Sequence, residues 1–225
     1  MDNADEKLDP LVVSLDIDET LVYCSQVPFH YRGETFEMVL DDEIYYGSVR
    51  PGARELLEHL FENKERFSVG VFSASTPDYV KKVLEHLIDP GQMAQLFFVL
   101  TRENIRMGTL IDLRTGWDVR ENKPQPLKDL SKVKRKAKRR SRDRIIAVDD
   151  KPMLWPRTYG NVLPVPEFNA DTLDDSVMKG TRSALDFLSR LDDVSPIEKR
   201  GMVIRHANRM LSSKDRSMSL STFSG

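Results

Sequence analysis

Residues 11–21, LVVSLDIDETL, place two acids where they can act together. Five residues of strand character, Leu11–Leu15, run directly into Asp16, and Asp18 follows two positions later. A buried parallel strand that ends in acids carries charge to the carboxyl edge of a sheet, the edge at which open α/β folds bind ligands. Two carboxylates at such an edge can divide the work of one reaction. One holds a metal or attacks an electrophile, and the other moves a proton. Taken alone, the acids also fit a turn or a helix cap.

Other segments point to the same edge. SVGVFSAS (68–75) is a second expected strand that runs into Ser73, and RIIAVDD (144–150) is another that ends in Asp149 and Asp150. Further strands are expected at 96–100 and 161–165. Helices are expected at 52–64, from Thr76-Pro77 onward, at 127–139 and at 172–190, each with apolar residues at helical spacing or a start signal. Residues 27–49 carry aromatic and β-branched residues with turns at Arg32-Gly33 and Asp41-Asp42, which predicts a small antiparallel flap. A hairpin is expected over 109–120 and an amphipathic helix over 196–211. The fold class expected is α/β: a Rossmann-like, mostly parallel sheet with helices on both faces, small β-flap insertions and no large cap domain. The expected organisation is a flexible leader (1–9), one large α/β domain (10–194), and a C-terminal helix with a Ser-rich tail (195–225).

Together with PLKDLSKV (126–133), which lies between SVGVFSAS and RIIAVDD, the three strand-end segments resemble in order the four motifs of the haloacid dehalogenase superfamily. The DIDETLV string (16–22) is most similar to the branch containing the small phosphatases of the RNA polymerase II C-terminal domain, or NLI-interacting-factor-like phosphatases. The resemblance spans about residues 10–194 and includes Arg50-Pro51-Gly52, the Lys128-Asp-Leu-Ser segment, IIAVDDKP and LSRLDDV. It implies a nucleophile at Asp16, a general acid–base at Asp18, and phosphoryl contacts from Ser73 with nearby backbone at Ala74. It further implies a charge-neutralising Lys128, with Thr20 and Arg102 as further substrate contacts. Asp16, the Asp18 carbonyl, Asp149 and Asp150 are the metal-ligand candidates, and their hard oxygens suit Mg²⁺. Asp150 stands where these phosphatases commonly carry Asn. Zinc spacing is missing: His30, His59, His86 and His206 are scattered.

The expected activity is Mg²⁺-dependent hydrolysis of a phosphomonoester through an aspartyl phosphate. The short inserts favour phosphoserine or phosphothreonine on a protein or peptide over a sugar phosphate. Gln26, Tyr45 and Thr76 are more polar than the apolar proline pocket of the polymerase-tail enzymes, so the polymerase tail is not assumed as the target. Two alternatives stay open: a catalytically weak scaffold that binds an acidic partner or nucleic acid, and a phosphatase of a small metabolite or nucleic-acid end.

Bulk properties set outer bounds. The chain has 225 residues, 31% charged, with a net charge of −2, which argues against a generic nucleic-acid binder. Nine Lys or Arg residues nevertheless crowd KVKRKAKRRSRDR (132–144), which reads as a solvated face, second as a surface that steers an acidic partner, and otherwise as a nuclear-localisation or nucleic-acid patch. The lone Cys24 allows no internal disulfide. No apolar run approaches the roughly 20 residues of a membrane span, and the acidic start is unlike a secretory signal. A cytoplasmic protein, or a nuclear one if the basic run directs it, is expected.

Overall fold

The computed structural model describes residues 8–108, 125–139, 141–155, 161–171 and 176–194. Its chain order begins β1 (Leu11–Leu15), β2 (Val22–Ser25), β3 (Thr35–Leu40), β4 (Glu43–Val49), α1 (Ala53–Glu62), β5 (Phe67–Phe72) and α2 (Pro77–Leu87). It continues α3 (Pro90–Gln95), β6 (Phe98–Leu100), β7 (Arg106–Gly108), β8 (Gln125–Leu127) and α4 (Leu130–Lys136). Last come β9 (Ile145–Asp149), β10 (Val162–Pro164) and α5 (Val177–Leu188). Five strands form a parallel sheet in the order β10-β9-β1-β5-β6. The expected α/β class is therefore the observed one, with β1 at the centre.

Every residue of β1 is buried, because both sheet faces are covered. The period of two assigns those faces. Leu11, Val13 and Leu15 join one core with Leu56, Leu60, Val80, Leu84 and Leu185 of α1, α2 and α5. Val12 joins the other, with Leu130 and Val133 of α4, Phe72 and Trp155. The same alternation puts Ile146 and Val148 of β9 in the first core and Ile145 and Ala147 in the second. Residues 16 and 149 continue the series of the second face, so the acids at the two strand ends lie on the same side. Leu15 pairs with Val148, and Asp16 N donates to Val148 O at 3.0 Å, which sets the two acids side by side.

The flap is the three-stranded antiparallel sheet β2-β4-β3. Asp41 and Asp42 turn its hairpin with φ of 51° and 63°, the paired left-handed conformation that a two-residue hairpin uses. Arg50-Pro51-Gly52 then returns the chain to the sheet. Gly52 has φ 78°, a left-handed conformation that glycine adopts without a Cβ penalty. Arg50 is 2% exposed and donates to Thr20 O at 3.1 Å and Pro166 O at 2.8 Å, with its guanidinium over the Phe168 ring. It thereby joins the loop after β1 to the segment after β10.

Several boundaries differ from the sequence reading. The helix expected at 127–139 is shorter: β8 pairs with β7 up to Leu127, and Asp129 caps α4 by accepting from Ser131 N at 2.8 Å. Lys128 therefore lies between strand and helix. Helix α3 was not anticipated, although Asp89-Pro90 and Gln92 form a capping box at its start. The strand 68–75 stops at Phe72, because Ser73 to Ser75 turn toward α2. The expected 109–120 hairpin, the start of the 172–190 helix, the 196–211 helix and the Ser-rich tail lie outside the described residues.

The basic run divides by function. Val133 and Ala137 are core residues. Arg139 pairs with Asp9 at 2.6 Å and donates to Pro10 O. Arg144 donates to the carbonyls of Asp9, Ser189 and Leu191, tying the entry of β1 to the end of α5. These contacts gather at the amino edge of the sheet, opposite the acids.

Removing the Arg50 guanidinium takes this donor from the buried Thr20 carbonyl and the half-buried Pro166 carbonyl. Arg50→Met is expected to lower unfolding free energy by about 3 kcal/mol, since each unpaired buried group costs about 1–3 kcal/mol. Urea denaturation checks this through a lower midpoint at unchanged slope.

Candidate active site

Five segments supply the site, and each delivers its side chains from the carboxyl end of a strand or the start of a helix. Asp16 follows β1, Ser73 to Ser75 follow β5, Asp149 ends β9 with Asp150 next, Lys128 precedes α4, and Tyr79 lies in the first turn of α2. Lys128 Nζ sits 2.6 Å from Asp16 Oδ1 and 2.6 Å from Asp149 Oδ2, with its side chain 2% exposed. Its ammonium lies 5.9 Å from the Phe72 ring and 5.8 Å from the Trp155 ring. Trp155 Nε1 donates to Asp149 Oδ2 at 3.0 Å, and Lys151 N donates to Asp149 Oδ1 at 2.8 Å. Both oxygens of Asp149 are thus engaged by the protein.

Asp16 and Asp150 meet through Thr20. The Thr20 hydroxyl is 3.3 Å from Asp16 Oδ2 and 3.1 Å from Asp150 Oδ1, and it accepts from Asp150 N at 3.1 Å. A hydroxyl has one proton, so it serves the two acids alternately. Thr20 is fully buried, and its hydroxyl faces these carboxylates rather than an open surface. Asp150 Oδ2 is buried and accepts no hydrogen bond among the described residues; Lys151 Nζ lies 3.5 Å away and also pairs with Glu19.

Asp18 takes a different direction. The strand ends at Leu15 and Ile17 is fully buried, so the i, i+2 acids do not stack on one face. The Asp18 carboxylate turns toward α2, where it accepts from Tyr79 Oη at 2.5 Å and Ser75 Oγ at 2.8 Å. Ser73 Oγ is 3.4 Å from Asp18 Oδ2 and accepts from Ser75 N at 3.0 Å. Arg102 is exposed at the rim; its Nε donates to Ala74 O at 3.0 Å, which fixes the loop after β5. Ser75, Tyr79 and Trp155 were not among the sequence candidates. Tyr79 had a usable signal: first-turn residues of a helix that follows a central strand face the ligand edge.

Burial dominates the electrostatics. It pushes the Asp16 carboxyl well above its ordinary range, against the attraction of Lys128 and with the added repulsion of Asp149. Burial also raises Asp150, reinforced by Asp149 and offset by Lys151. Burial works against the Lys128 cation, but Asp149 and Asp16 overcome it and hold the ammonium above its ordinary value. The Cys24 thiol, beside Tyr79, is pushed up to about 12 by burial, so it stays an unreactive thiol at neutral pH.

A metal fits this donor set. Oxygens of Asp16, Asp149 and Asp150 lie within 4.8 Å of one another, and Asp150 Oδ2 has an unused buried lone pair. With both Asp149 oxygens engaged, Asp16 and Asp150 are the side chains best placed to ligate a hard cation.

A doubly wound parallel sheet with converging acids and one buried lysine at its carboxyl edge defines an α/β protein with a polar reaction site at the strand ends. The chain belongs to the NLI interacting factor-like phosphatase family, whose model matches residues 11–195. It is 29% identical over 192 residues to a probable C-terminal domain small phosphatase of Dictyostelium discoideum, covering 84% of this chain and 52% of that protein. It is 27% identical over 184 residues to CTD small phosphatase-like protein 2 of the same organism, covering 81% and 28%. Among solved structures, fission yeast RNA polymerase II CTD phosphatase Fcp1 bound to beryllium fluoride is similar at 16% identity and a TM-score of 0.49, over 95% of this chain and 56% of that one. The chain spans about half, or less, of the length of the curated relatives it matches.

Lys128→Met strands two buried carboxylates. At pH 7 the expected loss is about 3–5 kcal/mol, the range for breaking a buried pair. The sign with pH follows from Asp16. Its folded pKa is raised above the ordinary 3.8, so its charge costs nothing below that value, and the penalty grows as pH climbs to the folded pKa. The variant should therefore lie closer to the parent near pH 4 than at pH 7. Lys128, whose folded pKa is raised above 10.5, stabilises the parent fully below that value and less as pH rises through the folded pKa. Chemical denaturation from pH 4 to 11 checks the acid limb and the onset of the alkaline one.

Proposed function

We propose that this protein is an Mg²⁺-dependent phosphatase that hydrolyses phosphoserine or phosphothreonine monoesters on a protein or peptide through an aspartyl phosphate at Asp16. The observation that carries this reading is the pairing of Asp16 with Lys128, 2.6 Å apart at the end of the central strand and beside Asp150. Lys128 opposes the burial that favours the protonated acid, and so favours the anionic carboxylate that an oxygen nucleophile requires where an electrophile can approach.

Each residue then has a task. The Asp16 carboxylate attacks phosphorus, forming an Asp16–O–P bond as the bond to the leaving oxygen breaks. Asp18, in its acid form, donates its proton to that oxygen. In the second step Asp18 takes a proton from water, the water oxygen bonds to phosphorus, and Asp16 is released. Lys128 offsets the repulsion between Asp16 and the incoming phosphate, and Asp149 with Trp155 holds Lys128 in line. Ser73 and the backbone around Ala74 bind the phosphoryl oxygens, and Arg102 contacts substrate at the rim. Asp16, the Asp18 carbonyl and Asp150 would hold Mg²⁺, which supplies charge neutralisation of the phosphoryl group when bound. Asp149 fits better as the anchor of Lys128 than as a ligand, because both its oxygens already accept hydrogen bonds.

A phosphoprotein substrate is supported by the names of the curated relatives and by the small flap, whose half-exposed Tyr45 borders Tyr79 beside Asp18. Among the described residues no helix is long and apolar enough to cross a membrane. The single thiol, held protonated, suits a reducing compartment such as cytoplasm or nucleus.

Asp16→Asn is expected to abolish turnover of p-nitrophenyl phosphate, because an amide cannot attack as an anion. Acid quench of the parent with ³²P-labelled substrate should trap label on Asp16; label on Ser73 would overturn the assignment. Chelation by EDTA should stop turnover and Mg²⁺ restore it. Asp150→Ala should weaken Mg²⁺ binding by at least tenfold in calorimetric titration, a loss of about 1.4 kcal/mol. Full activity in chelated buffer, or unaltered Mg²⁺ affinity in Asp150→Ala, would remove the metal from this reading.

A further inference from the structure

Three hydroxyls converge on Asp18 from outside its own loop. Tyr79 Oη donates to Oδ1 at 2.5 Å, Ser75 Oγ donates to Oδ2 at 2.8 Å, and Ser73 Oγ lies 3.4 Å from Oδ2. Tyr79 is 8% exposed, and its ring meets Tyr45 of the flap edge-on, with centroids 5.9 Å apart and planes at 72°. Tyr45 is itself held, since its hydroxyl accepts from Gln26 Nε2 at 3.1 Å. The phenol is therefore held by packing from the flap side, with Asp18 and the Cys24 thiol as its polar neighbours.

A carboxylate two residues from Asp16 has an alternative. Free to rotate, it turns toward the strongest local cation, Lys128 or a bound metal, and becomes one more ligand there. A carboxylate in that pose cannot hand a proton to a leaving group. We infer that Tyr79, assisted by Ser75, is a positioning residue that holds the Asp18 side chain away from the Asp16–Lys128 pair and aimed at the leaving oxygen. The inference rests on the phosphatase reading above.

The test varies the leaving group. kcat/KM reports events up to the first irreversible step, which contains leaving-group departure. Substituted phenyl phosphates, from p-nitrophenyl to unsubstituted phenyl, raise the demand for a proton on the departing oxygen; phenol itself has a pKa of about 10. In Tyr79→Phe, kcat/KM for phenyl phosphate should fall roughly tenfold, a fraction of the 10²–10⁴ range for general acid–base catalysis. The loss for p-nitrophenyl phosphate should be several-fold smaller, which steepens the dependence on leaving-group pKa. Ser75→Ala should steepen it in the same sense. A structural role alone lowers all substrates by one factor. Thermal melts establish that each variant is folded, and if Tyr79→Phe does not melt cooperatively, Ser75→Ala decides. A slope equal to the parent's in the folded variant overturns the positioning role and leaves the phosphatase reading standing. A parent that turns over none of these esters overturns both.

Discussion

One buried ammonium group makes the carboxyl edge of this sheet possible. Asp16 and Asp149 are brought together by the β1–β9 register, and Asp150 follows immediately. Three carboxylates within 4.8 Å would repel strongly in a nearly dry pocket. Lys128 enters between two of them from a separate segment, at 2.6 Å from each. A buried ion pair of this kind contributes little to stability compared with apolar packing. Its presence at the end of the central strand is therefore better explained by chemistry than by folding, and the raised pKa values of Asp16 and Lys128 point the same way.

Around that cation, the fold separates two acids that are neighbours in sequence. Asp16 keeps to the face of the sheet that holds Lys128, Phe72 and Trp155. Asp18 leaves that face because the strand has ended, and it is received by hydroxyls from the β5–α2 loop and from α2. The proposed division of labour between Asp16 as nucleophile and Asp18 as proton carrier needs such separation. Two carboxylates in one environment compete for the same proton and the same cation. Thr20 and Arg50 stabilise the turn that follows Asp18, Thr20 by bonding to Asp150 and Arg50 by bonding to the Thr20 carbonyl. The positive φ of Glu19, 61°, belongs to this tight turn. Strain at one non-glycine residue is tolerated there because Glu19 N donates to Val22 O and Glu19 O accepts from Phe168 N.

The sheet topology also keeps unlike functions apart. Strands in parallel send all their carboxyl ends to one edge, so acids after β1 and β9 and hydroxyls after β5 converge without long loops. The opposite edge carries basic residues in a structural role. Arg139 and Arg144 hold the entry of β1 and the end of α5 together through Asp9, Ser189 and Leu191. A run that reads as uniform charge in one dimension is thus partly consumed by the scaffold.

Strand, helix and family were legible in the sequence because their signals are local. LVVSL is apolar except for Ser14, as suits a strand covered on both faces, and the strand ends carry the acids. Thr76-Pro77 starts α2 where a Pro at the first helical position predicts it. The motifs around Asp16, Ser73, Lys128 and Asp150 were likewise readable, since each is a short string. Partnership was not readable. That Asp149 would spend both oxygens on Lys128, Trp155 and a backbone amide depends on the register between β1 and β9 and on where Trp155 falls after β9. That Tyr79 would face Asp18 depends on the helix following β5 docking against the flap, 61 residues along the chain from the acid it holds. Residue type and spacing determine which groups reach the edge of the sheet. Which oxygen each group touches is decided only when separate elements pack, because a hydrogen bond between distant segments has no signature in either one.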